Sequence, residues 1–174
     1  METTEKAPLE PNPFDRAGLE HSVITDKDKE SFFKAFMADT PYTELVKLFD
    51  DKVVTVFRTM TVEENDDVMQ QINLDIEHGI AKNTDNYVIL IASYRLGLSL
   101  ISINEKVIAP EITKSSFKTD KEKGVTYVAE RAKIIRNWPA FKMAAFASAF
   151  RQFENKVLKL TSAVQEPNFW KAAA

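Results

Sequence analysis

The residue types that most often carry out acid–base or metal chemistry are scarce in this sequence. The chain of 174 residues contains two histidines, His21 and His78, and no cysteine. Neither histidine has a second histidine four residues away, the spacing that would place two zinc-binding imidazoles on one helix face. The lack of cysteine excludes disulfides, thiolate metal sites and a cysteine nucleophile. We therefore predict that His78 is a solvated helix residue near Asp75 and Glu77.

Acidic residues cluster in the segment EENDD at positions 63–67. A calcium loop needs alternating oxygen ligands and a glycine, and this segment has neither. The favourable interaction of acidic side chains with the start of a helix explains the cluster without a ligand. The sequence also contains no glycine-rich phosphate loop and no GxSxG motif. The residues thus predict a protein that is not an enzyme, with no catalytic residue, no metal site and no cofactor.

Charge is distributed unevenly along the chain. Residues 31–113 carry 13 acidic and 7 basic side chains, whereas residues 114–160 carry 4 acidic and 11 basic ones. The basic segment suggests either an acidic partner, which includes the acidic half of this same protein, or association with nucleic acid. The second alternative is less favoured, because the chain as a whole is acidic and has no recognised groove-reading motif.

The most apolar stretch, YVILIASYRLGLSLISI at residues 87–103, predicts a central helix that is buried on all sides. This stretch is too short to span a membrane comfortably, and it carries a charge, Arg95, near its middle. We predict no membrane partner, and we assign Arg95 a structural role.

Several segments are predicted to cover this helix. The β-branched residues of segment 43–60 predict a β-hairpin that turns at Asp50-Asp51, and residues 103–108 predict a second, short hairpin that adds a strand beside it. Thr61 and Glu64 form a predicted capping box. The helix that it starts is expected to run to about residue 82, and its apolar side is expected to contain Val68, Met69, Ile72, Ile76 and Ile80.

The final predicted helix, residues 139–164, has the most regular apolar stripe. Its large residues follow the 3-4-3-4-3 spacing of a heptad seam: Met143, Phe146, Phe150, Phe153, Val157 and Leu160. One interpretation is that the seam packs on the central helix of its own domain. The other is that part of it, with Phe146, Phe150 and Phe153, packs on another subunit.

Both ends of the chain differ from the middle. Residues 1–24 contain three prolines and predict a disordered tail or an extended arm whose Phe14 and Leu19 anchor on a partner. In residues 165–174, the pair Phe169-Trp170 either anchors in a groove or closes the protein's own core.

The predicted fold class is mainly α with a small β-hairpin element, that is, α+β. We expect one compact helical domain, residues 25–164, built around the buried central helix. The extended N-terminal arm and the short C-terminal tail flank this domain.

Several segments, taken in order, resemble small proteins of tailed bacteriophages. They are VVTVFRTMTVEEND, a form of the pattern V-x-F-R-T-L-T-x-x-E, then YRLGLSLISINEKVI, RAKIIRNWPAF, FASAFRQFENKVLKL and a late P-x-F-W. Such proteins are encoded near tape-measure and baseplate genes and are described as baseplate hub components or tail assembly chaperones. The resemblance covers roughly residues 42–170, and Glu105 stands where that pattern leads us to expect the glycine of an I-N-G turn.

The resemblance implies a non-enzymatic structural component of a phage tail or baseplate, assembled in the host cytoplasm and located in the virion tail. Its implied partners are other tail or baseplate proteins, with multiple copies arranged in a ring. A transient tail assembly chaperone that binds the tape-measure protein is the alternative. The resemblance also implies that Arg58, at the end of a strand before an acidic helix start, is a structural ion-pair residue.

Overall fold

The computed structural model describes residues 24–80, 84–116 and 121–166, and it describes only the backbone of residues 84–86, 116 and 121–126. Helices predominate in this part of the chain, and one four-stranded antiparallel sheet accompanies them, which confirms the α+β class. The elements are α1 (Asp26–Met37), β1 (Thr43–Leu48), β2 (Val53–Arg58), α2 (Val62–Glu77), α3 (Thr84–Ser99), β3 (Leu100–Ile103), β4 (Lys106–Val107), α4 (Lys121–Arg136) and α5 (Ala140–Ala163). A short 3₁₀ turn, Lys114–Ser116, precedes α4.

Helix α3 contributes to two separate hydrophobic cores, as expected of a central helix, but it is not buried on all sides, because Val88 and Ile89 near its start are about half exposed. Leu96 belongs to a core with the sheet and α5. Leu90 and Leu98 belong to a second core with α2 and α4. The predicted helix is too long, however, because Leu100–Ile103 forms strand β3 instead. These four residues alternate between buried and half-buried positions and pair with β2, whose free edge takes up their backbone hydrogen bonds.

Both predicted hairpins are present in the sheet. Strands β1 and β2 pair from Thr43–Arg58 to Leu48–Val53, and β3 adds antiparallel to β2 with a bulge at Val56/Phe57. The turn between β3 and β4 forms without glycine: Asn104 and Glu105 both have positive φ angles, 46° and 65°. The Asn104 side chain helps to hold this turn, because its Oδ1 accepts a hydrogen bond from the Val54 amide at 2.7 Å.

The capping box of α2 is confirmed, but the helix ends earlier than predicted. Thr61 Oγ1 accepts from the Glu64 amide, and the Glu64 carboxylate accepts from the Thr61 amide. At the other end, Gly79 adopts a φ of 68° and its amide bonds to the Ile76 carbonyl. A left-handed glycine just past the last turn is a common helix stop. The helix therefore ends at Glu77, and residues 81–83 lie outside the described part.

The heptad seam of α5 is part of the protein's own core. Phe150 and Phe153 lie 5.6 and 5.8 Å from Phe57 of β2, measured between ring centroids, and Phe153 stacks on Tyr42. Phe146 is equally buried and packs against Trp138. The interpretation that the seam packs within its own domain therefore describes these rings. Phe146, Phe150 and Phe153 are each at most 5% exposed, but Phe150 and Phe153 also line the groove described below, so a role as partner contacts stays a prediction.

Candidate docking surface

An open groove of about 540 Å³ lies where α5, α3 and the turn from β2 into α2 meet. Val62 forms one rim and Leu158 of α5 forms the other, and both side chains are largely exposed. Arg95 and Ser99 reach the groove from the C-terminal end of α3. The volume falls within the range of ligand-binding clefts, and the lining is more apolar than polar.

The polar groups of α3 in this groove are incompletely satisfied. Arg95 forms an ion pair with Glu154 of α5, at 2.6 Å. Burial raises the pKa of Glu154 above its ordinary value, although Arg95 opposes this shift. The Nε atom of Arg95 and the Oγ atom of Ser99 are both buried without a hydrogen-bond partner. Each buried polar group without a hydrogen-bond partner lowers the stability of the fold by about 1–3 kcal/mol.

The wall of the groove on the β2 side is fixed by a second ion pair. Arg58 donates to both carboxylate oxygens of Glu64, at 2.8 and 2.6 Å. The structural ion-pair role expected for Arg58 is therefore present. Because Glu64 also caps α2 through Thr61, this one carboxylate positions the start of the helix that carries Val62.

Helix α2 exposes part of the apolar side that the sequence predicted to be buried. Val68 and Ile72 are buried as expected, but Met69, Ile76 and Ile80 are each about half exposed. The buried side of α2 also contains two aspartates, and each of them is hydrogen-bonded to other side chains. Asp67 accepts from Lys114, and Asp75 accepts from the Tyr94 hydroxyl and the Gln71 amide. Because both carboxylates have hydrogen-bond partners on the buried side, that side of the helix faces the core. A second stripe, which includes large apolar residues, faces outward.

We call this outward stripe the α2 face, and it consists of exposed residues spaced 4-3-4-3: Val62, Asp66, Met69, Asn73 and Ile76. This spacing keeps the residues on one side of a helix. The first of them, Val62, is 81% exposed and also lines the groove, so the groove opens onto the face. Helix α2 carries six acidic residues and no basic one, which makes the surroundings of the face negative.

A second strip runs along α3 towards the same groove, with the spacing 4-3-4: Val88, Ala92, Arg95 and Ser99. Val88 is exposed, and the last two residues line the groove. Since the start of α2 and the end of α3 both lie at the groove, the two helices run in opposite directions. The exposed Ile76 and Val88 therefore lie towards the same, far end of the helix pair.

Sequence reasoning named two residues that line the groove, Phe150 and Phe153, as partner contacts, but it missed the exposed ones. Val62, Met69 and Leu158 had no predicted partner role, and the only sequence signal for Val62 and Met69 is a second stripe on α2 beside the core-facing one. The predicted partner-binding residues at the chain ends, Phe14, Leu19, Phe169 and Trp170, lie outside the described residues.

Several basic side chains of residues 114–160, the segment considered for nucleic-acid binding, have partners inside the chain. Arg131 is buried and donates to the carbonyls of Gly97, Leu100, Ile108 and Ala109. Lys156 is buried between Asp28 and Glu44, and Lys133 bonds to Glu130. Lys142 lies over the ring of Trp138, 4.1 Å from its centroid. The outer side of α5 retains Arg151 and Lys159 as exposed cations.

In residues 24–80, 84–116 and 121–166, no group of three or more histidine, cysteine, aspartate or glutamate side chains is placed to hold a metal ion. Within the same part of the chain, no helix combines the length and the apolar character needed to cross a membrane.

Comparison with known proteins adds no relative to these observations. The chain matches no protein-family model, no curated protein and no solved structure.

Proposed function

We propose that this protein is a non-enzymatic structural component of a bacteriophage tail or baseplate and that it acts by docking to neighbouring subunits. The phage assignment rests on the sequence resemblance over residues 42–170. The docking role rests on one observation, the exposed α2 face that runs into the groove.

A docking role explains why a small protein keeps large apolar side chains in water. Val62 and Leu158 line the groove, and the exposed Met69 and Ile76 continue the α2 face beyond it. Exposed apolar patches on soluble proteins commonly mark interaction sites. A groove beside a helix pair suits an amphipathic helix, which lays its apolar side against such residues.

The same surface also suits the second candidate, a tail assembly chaperone that binds the tape-measure protein and then leaves. The ion pair of Arg95 with Glu154 makes the polar base of the groove neutral overall, which suits an uncharged apolar helix that binds reversibly. The two candidates differ in whether the protein remains in the finished particle.

The test uses phage particles produced from a genome that encodes this chain. We expect mass spectrometry of purified particles to detect the protein in multiple copies. Its absence from particles whose tails are complete would overturn the structural role and leave the chaperone.

A matched pair of variants tests the docking surface itself. Ile76→Glu places a charge on the α2 face, and we expect it to reduce the yield of complete tails at least tenfold. Val107→Glu is the control, because Val107 of β4 is similarly exposed but lies on the sheet edge. If Ile76→Glu assembles tails as well as Val107→Glu does, the α2 face is not the docking surface.

A further inference from the structure

The outer side of α5 carries a second stripe, directed away from the core. We call it the α5 strip, and its residues are spaced 3-4-3-4: Phe141, Ala144, Ser148, Arg151 and Asn155. On a helix these positions lie about half a turn away from the buried seam. Phe141 is 79% exposed, and Ala144 and Ser148 are small enough to let another helix approach closely.

We infer that the occupant of the α2 face is the α5 strip of a second copy of this chain, packed antiparallel. This inference rests on the proposed function, since it names the partner of the proposed docking surface. From its C-terminal to its N-terminal end, the α5 strip has the spacing 4-3-4-3, which is also the spacing of the α2 face from its N-terminal end. Antiparallel packing therefore sets five pairs side by side: Val62 with Asn155, Asp66 with Arg151, Met69 with Ser148, Asn73 with Ala144, and Ile76 with Phe141.

The pairs complement each other in charge and in size. Asp66 meets Arg151, and neither side chain forms a salt bridge within the described part of its own chain. Ile76 meets the ring of Phe141, so two of the exposed apolar side chains cover each other. The longer Met69 lies over the short Ser148, which allows the helices to approach closely at that layer.

Charge also selects this partner over the simpler symmetric alternative. If two α2 faces packed together, the exposed Asp66 of each copy would find no basic residue on the opposite α2. The α5 strip instead brings Arg151, and Lys159 is also exposed on the outer side of this helix. The contact therefore sets an acidic helix against exposed basic side chains.

A contact between two different surfaces has a consequence for assembly. Each copy offers one α2 face and one α5 strip, so the contact is heterologous and is repeated from copy to copy, giving a ring if the rotation closes and a filament if it does not. One helix pair is a small interface, because α2 is only about 24 Å long by the rise of an α-helix. We therefore expect association that depends strongly on protein concentration.

The experiment measures association of the full chain by sedimentation velocity between about 10 µM and 1 mM, a range suited to weak complexes. We expect the wild type to form higher-order species that weaken as salt is raised. Asp66→Arg and Arg151→Asp should each lower the association constant at least tenfold, because each sets like charges together. The double variant Asp66→Arg/Arg151→Asp restores opposite charges and should recover most of the association.

Lys106→Asp is the control, since it makes the same charge change as Arg151→Asp on exposed strand β4. It should associate as the wild type does. A wild type that stays monomeric throughout this range, or single variants whose loss the double variant does not recover, would overturn the inference. Neither result touches the proposed function, which fails instead if Ile76→Glu assembles tails normally.

Discussion

The guanidinium group of Arg58 and the carboxylate of Glu64 form a bidentate ion pair that joins the end of strand β2 to the start of α2. Their N–O distances are 2.8 and 2.6 Å, and both side chains are mostly shielded from water. The same carboxylate accepts a hydrogen bond from the Thr61 amide. The direction in which α2 leaves the sheet, and with it the position of the α2 face, therefore depends on one glutamate.

We expect Glu64→Gln to destabilise the protein by about 2–3 kcal/mol, because it leaves the shielded Arg58 cation without its counter-charge. The neighbouring Glu63→Gln is the control. The Glu63 side chain is 76% exposed, and the loss of its surface pair with Lys114 should cost less than about 1 kcal/mol. Urea unfolding at pH 7 measures both. Equal losses in the two variants would show that the Arg58 pair contributes nothing beyond a surface contact.

The same ion pair predicts a dependence of stability on pH. Burial alone raises the pKa of Glu64, but hydrogen bonds from Arg58 and the Thr61 amide outweigh it and hold the pKa below its usual value. A carboxylate whose pKa is lower in the folded state stabilises the fold above the pKa of the unfolded chain, about 4.3. This stabilisation disappears as the pH falls from there through the lower folded pKa. Wild type should thus lose more stability than Glu64→Gln between about pH 5 and pH 3, and parallel curves would contradict the prediction.

Two buried serines of α3 provide a test of the unsatisfied group in the groove. Ser93 and Ser99 are both almost completely buried, but only the Ser93 hydroxyl has a partner, the Leu90 carbonyl at 2.8 Å. Ser93→Ala should cost about 0.5–1.5 kcal/mol, because a hydrogen bond is lost. Ser99→Ala should be neutral or stabilising in the isolated protein, since it removes a polar group that has no partner. Thermal unfolding compares the two, and an equal loss from both would mean that Ser99 is hydrogen-bonded in solution.

Close packing of α3 against α4 makes Gly97 sensitive to the smallest possible addition. A Cβ atom at this position would lie 3.1 Å from the backbone nitrogen of Ala132 and from the carbonyl carbon of Arg131. Backbone atoms cannot rotate away as side chains do, so the helices must separate. We expect Gly97→Ala to destabilise the protein by about 1–3 kcal/mol, measured as the shift of the urea midpoint. An unchanged midpoint would mean that the two helices lie further apart than in this structure.

The features that the sequence could predict are those decided within a short stretch of chain. The Thr61 capping box, the two hairpins and the apolar central helix each follow from neighbouring residues, and all are present. The end of α2 is also determined locally, by Gly79. The predicted end near residue 82 was wrong because it did not take this glycine as a helix stop.

The features that could not be predicted depend on residues far apart in sequence. The residues 100–103 become a strand because the edge of β2 is free to pair with them. The outward stripe of α2 depends on Lys114, which lies 47 positions beyond Asp67 and satisfies it on the inner side. The periodicity of α2 shows two stripes but not which of them faces the core, so the exposure of the α2 face is known only from the structure.

Lys156 of α5 links its own helix to α1 and to β1 through two ion pairs. Its ammonium group lies 2.8 Å from Asp28 of α1 and 2.7 Å from Glu44 of β1, and the residue itself is buried in α5. Burial lowers the pKa of Lys156, but the two carboxylates more than compensate and raise it above the ordinary value. A raised pKa means that the stabilisation is fully present below the unfolded pKa of about 10.4 and is lost as the pH rises through the folded value.

We therefore expect Lys156→Met to cost about 2–4 kcal/mol at pH 7, because it leaves Asp28 and Glu44 close together without a cation. Adding Glu44→Gln should return part of this loss, since the mutual repulsion then disappears. Above about pH 10.4, the stability of wild type should fall towards that of Lys156→Met. Chemical unfolding across this pH range measures all three proteins. If Lys156→Met is as stable as wild type at pH 7, the apolar contacts of α5 alone hold α1 and β1, and the ion pairs only accompany them.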